Sequence, residues 1–230
     1  MKRFFHDVSV RKETDGFSVL TDDRPMNFLK TSRKMILPTK ALAETVADEW
    51  RALPDEFKAK DLPVTCFLSG VAAWDETDER NVRQKMMAVL PCDAALCVAP
   101  DPPRLDQAMA DAFQPVVDAV NRAAGTDFVL TRSVSGAEPS ERSRRAFEDH
   151  LAGQTRLGLA CLSKLTAVFG SLLLAFAVEK RLLTAAKAFD VSITEELYQN
   201  GFWPADAEAQ SARDAKRGEA LFAEKILLSI

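Results

Sequence analysis

LSKLTAVFGSLLLAFAVEKRLL, residues 162–183, carries no charge from Leu165 to Val178. As a helix that uncharged stretch rises about 21 Å, short of the ~30 Å hydrocarbon core of a bilayer. Thr166, Gly170 and Ser171 also interrupt its apolar residues. The stretch therefore reads as the interior of a soluble domain and not as a membrane span. At about 100° per residue, Leu165, Val168, Phe169, Leu172, Leu173 and Phe176 share one broad face, with Thr166, Gly170 and Ala177 on a flank. Read as one helix, it is apolar nearly all round. It is expected to be the buried centre of a C-terminal bundle, its large face filling the core and its small flank admitting a neighbouring helix.

Upstream the period changes. Phe4, His6, Val8 and Val10 alternate with Phe5, Asp7 and Ser9, and a turn at Thr14-Asp15-Gly16 leads to a second strand, Phe17 to Leu20. Thr21 to Pro25 supplies another turn, and Met26–Leu29 and Met35–Leu37 are further short strand candidates. Then Thr39 stands as an N-cap, with Leu42, Val46 and Trp50 following on one helical face. Beyond about residue 62 the pattern is mostly helical. The acidic stretch Asp75 to Glu79 opens one helix, and Pro103 to Ala124 forms another in which Pro115 predicts a kink or a break. Ala94–Val98 and Phe128–Leu130 are strand candidates, and Thr184–Asn200 and Asp206–Leu228 complete the helices. The fold class is α+β: a small β-rich N-terminal domain, an antiparallel meander plus a helix, over residues 1–60, and a larger, mainly helical domain over residues 61–230.

Composition narrows the function classes. The 230 residues are 47% hydrophobic and 28% charged, with a net charge of −4. That balance argues against nucleic acid as a partner, which selects for basic surface. Cys66, Cys92, Cys97 and Cys161, with only His6 and His150, lack zinc spacing, so no metal is expected. With no apolar leader in MKRFFHDVSV, free thiols in a reducing cytoplasm are the simplest expectation.

No catalytic constellation emerges. The nine glycines form no phosphate loop or dinucleotide fingerprint, and no nucleophile elbow occurs. His6 sits in a strand and His150 at the end of a charged helix. Asp75 to Glu79 reads as a solvated helix start, and Arg142, Arg144 and Arg145 as a solvated or ion-paired face. One segment is richer: Thr194-Glu195-Glu196-Leu197-Tyr198-Gln199-Asn200-Gly201-Phe202-Trp203-Pro204 holds the only tyrosine. Polar groups beside aromatics at a helix end suit a capping structure or a protein-binding hot spot, and both readings stay open.

These residues resemble a known family, the Atp-twelve chaperones that handle the α subunit of the catalytic head of F-type ATP synthase. Lys2-Arg3-Phe4 with Asp7-Val8-Ser9-Val10 is similar to the family's opening strand, and Gly16-Phe17, Val19-Leu20 and Asp23-Arg24-Pro25 to its next hairpin. Leu37-Pro38-Thr39, Ala41-Leu42-Ala43 and Glu49-Trp50 match its first helix, and Leu62-Pro63-Val64-Thr65 its next helix entry. Gly170-Ser171-Leu172 and Glu196, Gln199 and Trp203 fall at its later spacings. The chain departs from the family at Asp23, where a glycine is usual, and at Cys66, Gln114 and Pro204.

The resemblance implies an ATP-independent assembly chaperone that is not an enzyme and takes no cofactor. Its partner would be the unassembled α subunit, contacted through Glu196, Gln199 and Trp203. The chaperone would mask the surface that the β subunit later covers and be displaced as the ring closes. It implies a bacterial cytoplasmic protein, monomeric when free and not inserted in a membrane. Two other readings remain, a small-molecule enzyme of unrecognised type and an adaptor for another complex.

Overall fold

A computed structural model describes residues 1–133, 135–202 and 207–230. Among the described residues, ten α-helices and a four-stranded antiparallel sheet make the α+β fold that the pattern implies. The chain divides into two compact units, Met1–Glu76 with Leu228–Ile230, and Thr77–Leu227.

In the first unit, β1 (Val8–Glu13) pairs with β2 (Gly16–Thr21) in a register running from Val8 opposite Thr21 to Glu13 opposite Gly16. The far edge of β2 is shared by two short strands, β3 (Arg24–Pro25) and β4 (Ile36–Leu37). β2 is thus central, and Ser18 to Thr21 are all buried. Two residues, Asp22 and Asp23, join β2 to β3, both with positive φ (46° and 63°). A two-residue hairpin with both residues left-handed is the turn whose twist matches that of the strands. Asp23 therefore adopts the geometry of the glycine it stands for. Asp22 has its own compensation, since its carboxylate accepts the N–H groups of His6 and Asp7, both at 2.9 Å. Those bonds hold the Asp22 carboxyl below its usual range.

Helix α1 (Lys40–Arg51) begins at Thr39, whose hydroxyl accepts the Leu42 N–H at 3.1 Å. It buries Leu42, Ala43, Val46, Ala47 and Trp50, the stripe expected from their spacing. Helix α2 (Pro63–Ala72) follows, with proline in its first turn. Glu49 caps it from α1: its carboxylate accepts the N–H groups of Val64 (2.5 Å) and Thr65 (2.9 Å). The Thr65 hydroxyl donates to the same carboxylate at 2.5 Å and accepts the buried Trp50 indole N–H at 2.8 Å. This lattice ties α2 to α1, and the first unit extends to Glu76, where the onset of helical periodicity suggested a division at residue 60. The motif residues Glu49, Trp50 and Thr65 form one hydrogen-bonded chain with a structural task.

The second unit contains α3 (Glu76–Met87) from Thr77 onward, α4 (Pro103–Ala124), α5 (Glu141–Ala152), α6 (Arg156–Phe169), α7 (Leu172–Glu179), α8 (Ala185–Ser192), α9 (Thr194–Asn200) and α10 (Ala207–Leu227). Helix α4 passes through Pro115 without a break. Pro115 is exposed there, while Leu105, Met109, Phe113, Val116, Val117 and Val120 keep the opposite face buried. A proline removes one backbone bond, and 22 residues of packed amphipathic helix outweigh it.

The stretch 162–183 is not one helix. α6 ends at Phe169, Gly170 turns left-handed (φ 62°), and Ser171 caps α7, accepting the Leu174 N–H at 3.0 Å. Glycine past a C-terminus followed by serine at an N-cap is a stop and a start in adjacent residues. A continuous 100° projection cannot register that. What survives is the burial: Leu172 to Val178 are all buried, so α7 is the centre of the unit. Phe147 packs on Phe128 and Phe176 at ring distances of 5.4 and 5.1 Å. The strand candidates near residues 97 and 130 reduce to one parallel bridge, Cys97 to Thr131.

Candidate functional site

Two helices of the second unit, α8 and α9, are held in register by polar contacts from α10. The Arg213 guanidinium donates to the Glu196 carboxylate of α9 at 2.7 Å. Arg217 donates to Asp190 of α8 at 2.6 Å, and Glu224 accepts the Ala185 N–H, at the start of α8, at 2.8 Å. Positions 213, 217 and 224 recur on one face of a 3.6-residue helix, so a single stripe of α10 sets the placement of α8 and α9. That periodicity was visible in the sequence, but its partners are dispersed and no local signal pairs them.

Between the end of α6, α8, α9 and α10 lies a cleft of about 590 Å³. Phe169, Phe189 and Ile193 supply apolar lining; Glu195, Glu196 and Gln199 line the α9 side, and Arg213 and Lys216 the α10 side. The structure thus brings together Glu196 and Gln199, two of the three residues singled out from the sequence. The third, Trp203, lies outside the described residues. Gln199 donates to Glu195 at 3.0 Å, one turn back. The Arg213 side chain is only 12% exposed while that of Glu196 is 45% exposed. Arg213 also donates to Gln210 at 2.8 Å. A mostly buried, doubly bonded guanidinium thus fixes a carboxylate that still faces solvent.

Aromatic residues stand at other positions on α9 and just past its end. Tyr198 packs on the cluster of Val98, Leu105, Met109 and Phe113, and so moors α9 on α4. Its ring meets Phe202 at 5.3 Å, and Phe202 is 69% and Leu197 50% exposed. Apolar side chains so exposed beside a fixed ion pair have the makeup of a protein-contact surface.

Several other candidates have structural partners. Arg144 and Arg145 pair with Glu141 at 3.2 and 2.7 Å. Glu79 binds Arg83 and Arg156 at 3.1 and 2.7 Å, which lowers its pKa, with Arg156 the larger influence. His150 lies 3.3 Å from Glu179 with its ring edge-on to Phe176. Among the described residues no group of three or more His, Cys, Asp or Glu side chains could hold a metal. Nor, among them, is any helix long and apolar enough to cross a membrane.

Sequence reasoning missed Asp93. It is wholly buried. Its carboxylate accepts the N–H groups of Leu172 (2.7 Å), Leu173 (3.2 Å) and Ala95 (3.0 Å). It is a second cap for α7, delivered from a distant loop. No spacing rule reaches across that distance.

A family model for the ATP12 chaperone protein matches residues 2–121. The chain belongs to the ATP12 chaperone family. Its function, at that level, is chaperoning of ATP synthase assembly. Two structures of Atp12p from Paracoccus denitrificans, one of them a point mutant, share the fold at a TM-score of 0.92 and 24% identity. They align over 98% of this chain and 96% and 97% of theirs. A protein from Agrobacterium tumefaciens is 27% identical, with a TM-score of 0.89 over 99% of this chain and 85% of its own. The family match lies mostly in the N-terminal half, whereas the cleft lies beyond it. The cleft's role is therefore an inference from geometry.

Proposed function

We propose that this ATP12-family chaperone binds the unassembled α subunit of the F-type ATP synthase catalytic head. In this reading it covers the surface that the β subunit will occupy, and β displaces it as the alternating ring forms. The observation that carries the proposal is the family match over residues 2–121; the fixed Glu196 carboxylate beside exposed Leu197 and Phe202 supports a contact surface on α9. An unpartnered subunit exposes apolar area that aggregates. A chaperone that binds the folded or nearly folded subunit lowers the aggregating population by mass action. That mechanism consumes no nucleotide and requires no catalysis or cofactor. The chaperone acts as a monomer in the bacterial cytoplasm, with Glu196, Gln199 and Trp203 against its client.

The test is co-expression with the cognate α subunit, capture of the chaperone, and light scattering of α during refolding. The expected result is a one-to-one complex and suppressed scattering. Absence of both would remove the α subunit as the client. Capture of other proteins without any ATP synthase subunit would favour the adaptor reading.

A further inference from the structure

The cleft's charges are not equivalent. Glu196 is matched by Arg213, and Glu195 accepts the Gln199 amide. Lys216, also lining the cleft, has no hydrogen bond or ion pair among the described residues, and it is exposed. The contacts of α10 fix its level. Arg213 meets Glu196 and Arg217 meets Asp190, so α10 runs opposite to the α8–α9 segment and Lys216 falls between these two pairs. The cleft residues at that level are Ser192 and Ile193, neither of which is a carboxylate, with Phe189 one turn below. The cleft therefore presents an uncommitted ammonium above an apolar floor.

We infer that the cleft takes a protein segment in which an acidic side chain, received by Lys216, neighbours an apolar side chain that enters over Phe169, Phe189 and Ile193. Charge complementarity selects the acid. A basic group brought beside Lys216 would meet like charge from Lys216 and Arg213, whereas the cleft's carboxylates lie on the α9 side, Glu196 paired with Arg213 and Glu195 bonded to Gln199. The volume, about 590 Å³, accommodates a few side chains and not a folded domain. The occupant is thus a projecting loop or terminus of the partner. This inference rests on the proposed function for the identity of the partner, and on the cleft alone for its chemistry.

The experiment measures the affinity of the full chain for purified cognate α subunit, with three variants and circular dichroism to verify their folds. Lys216→Glu is expected to weaken binding by at least about tenfold, whereas Lys216→Arg keeps it within about threefold of the original. Lys187→Glu changes net charge equally from an exposed site on α8 outside the cleft, and is expected to leave affinity within about twofold. Unchanged or tighter binding by Lys216→Glu, while the original chain binds α, overturns the acidic-segment inference and leaves the proposed function standing. Equal weakening by Lys187→Glu overturns it too, since net charge would then be the cause. Failure of the unsubstituted chain to bind α overturns the functional reading, and this inference about its partner with it.

Discussion

Asp93 accepts the backbone N–H of Leu172 at 2.7 Å across 79 residues of sequence, and so caps the most buried helix of the protein with a wholly buried carboxylate. Burial pushes its pKa up from 3.8 to about 6, although bonds from Ser171 and three backbone N–H groups pull the other way. The folded state therefore holds this proton at pH values where the unfolded chain has released it. Its contribution is fully present below about pH 4 and is lost as pH rises through about 6, on the order of 3 kcal/mol. Carboxylates such as Glu13, held down at about 2 chiefly by Lys34, act with the opposite sign at lower pH. The difference between the native chain and Asp93→Asn isolates the Asp93 contribution. Urea unfolding from pH 4 to 7 should show that difference falling across the window. A constant difference would mean that the carboxylate does not titrate there.

Asp23 sits at φ 63° in the β2–β3 turn, where an L-residue costs on the order of 1 kcal/mol and glycine costs little. Asp23→Gly should stabilise the first unit by about 0.5–1 kcal/mol, a net gain reduced by glycine's greater unfolded-state entropy. Asp22→Gly should destabilise, because the N–H groups of His6 and Asp7 lose their acceptor. Paired thermal melts read out the two signs. The same direction for both substitutions would refute the division of roles.

Thr65 accepts from Trp50 and donates to Glu49. Thr65→Val keeps the shape and removes both bonds, leaving a buried indole N–H unsatisfied at a cost of about 1–3 kcal/mol. Thr65→Ser retains the hydroxyl and should recover most of the loss. Equal losses from the two variants, measured by urea unfolding, would assign the effect to packing.

How legible all this was depends on the range of the interaction. The sheet, α1 and the burial of residues 172–178 follow from local periodicity and turn chemistry, which act over a few residues. The break at Gly170 was also local, yet the uncharged run around it concealed it. Burial specifies where a segment lies and not how many helices it contains. Asp93 could not be read at all, because its value as a cap arises from a contact 79 residues away. The same holds for Arg213, whose partner Glu196 was singled out while Arg213 itself was not. Long-range polar pairs carry no local signal of which residues they join, and they are what shape the cleft.

Glu196 and Arg213 separate structure from binding. Glu196→Lys sets an ammonium against a guanidinium that is 12% exposed, so like charges replace an ion pair. Capture of the α subunit should fall about tenfold or more with an unchanged far-ultraviolet spectrum, since the core of α7 and the Tyr198 mooring are untouched. Adding Arg213→Glu restores an ion pair in reversed orientation and should recover any loss in Tm. Capture should stay weak, because in the proposed function the solvent-facing carboxylate of Glu196 is itself a contact and the swap places an ammonium there. If capture returns together with Tm, Glu196 serves only to position α9, and the client contact must be sought among Lys216, Leu197 and Phe202.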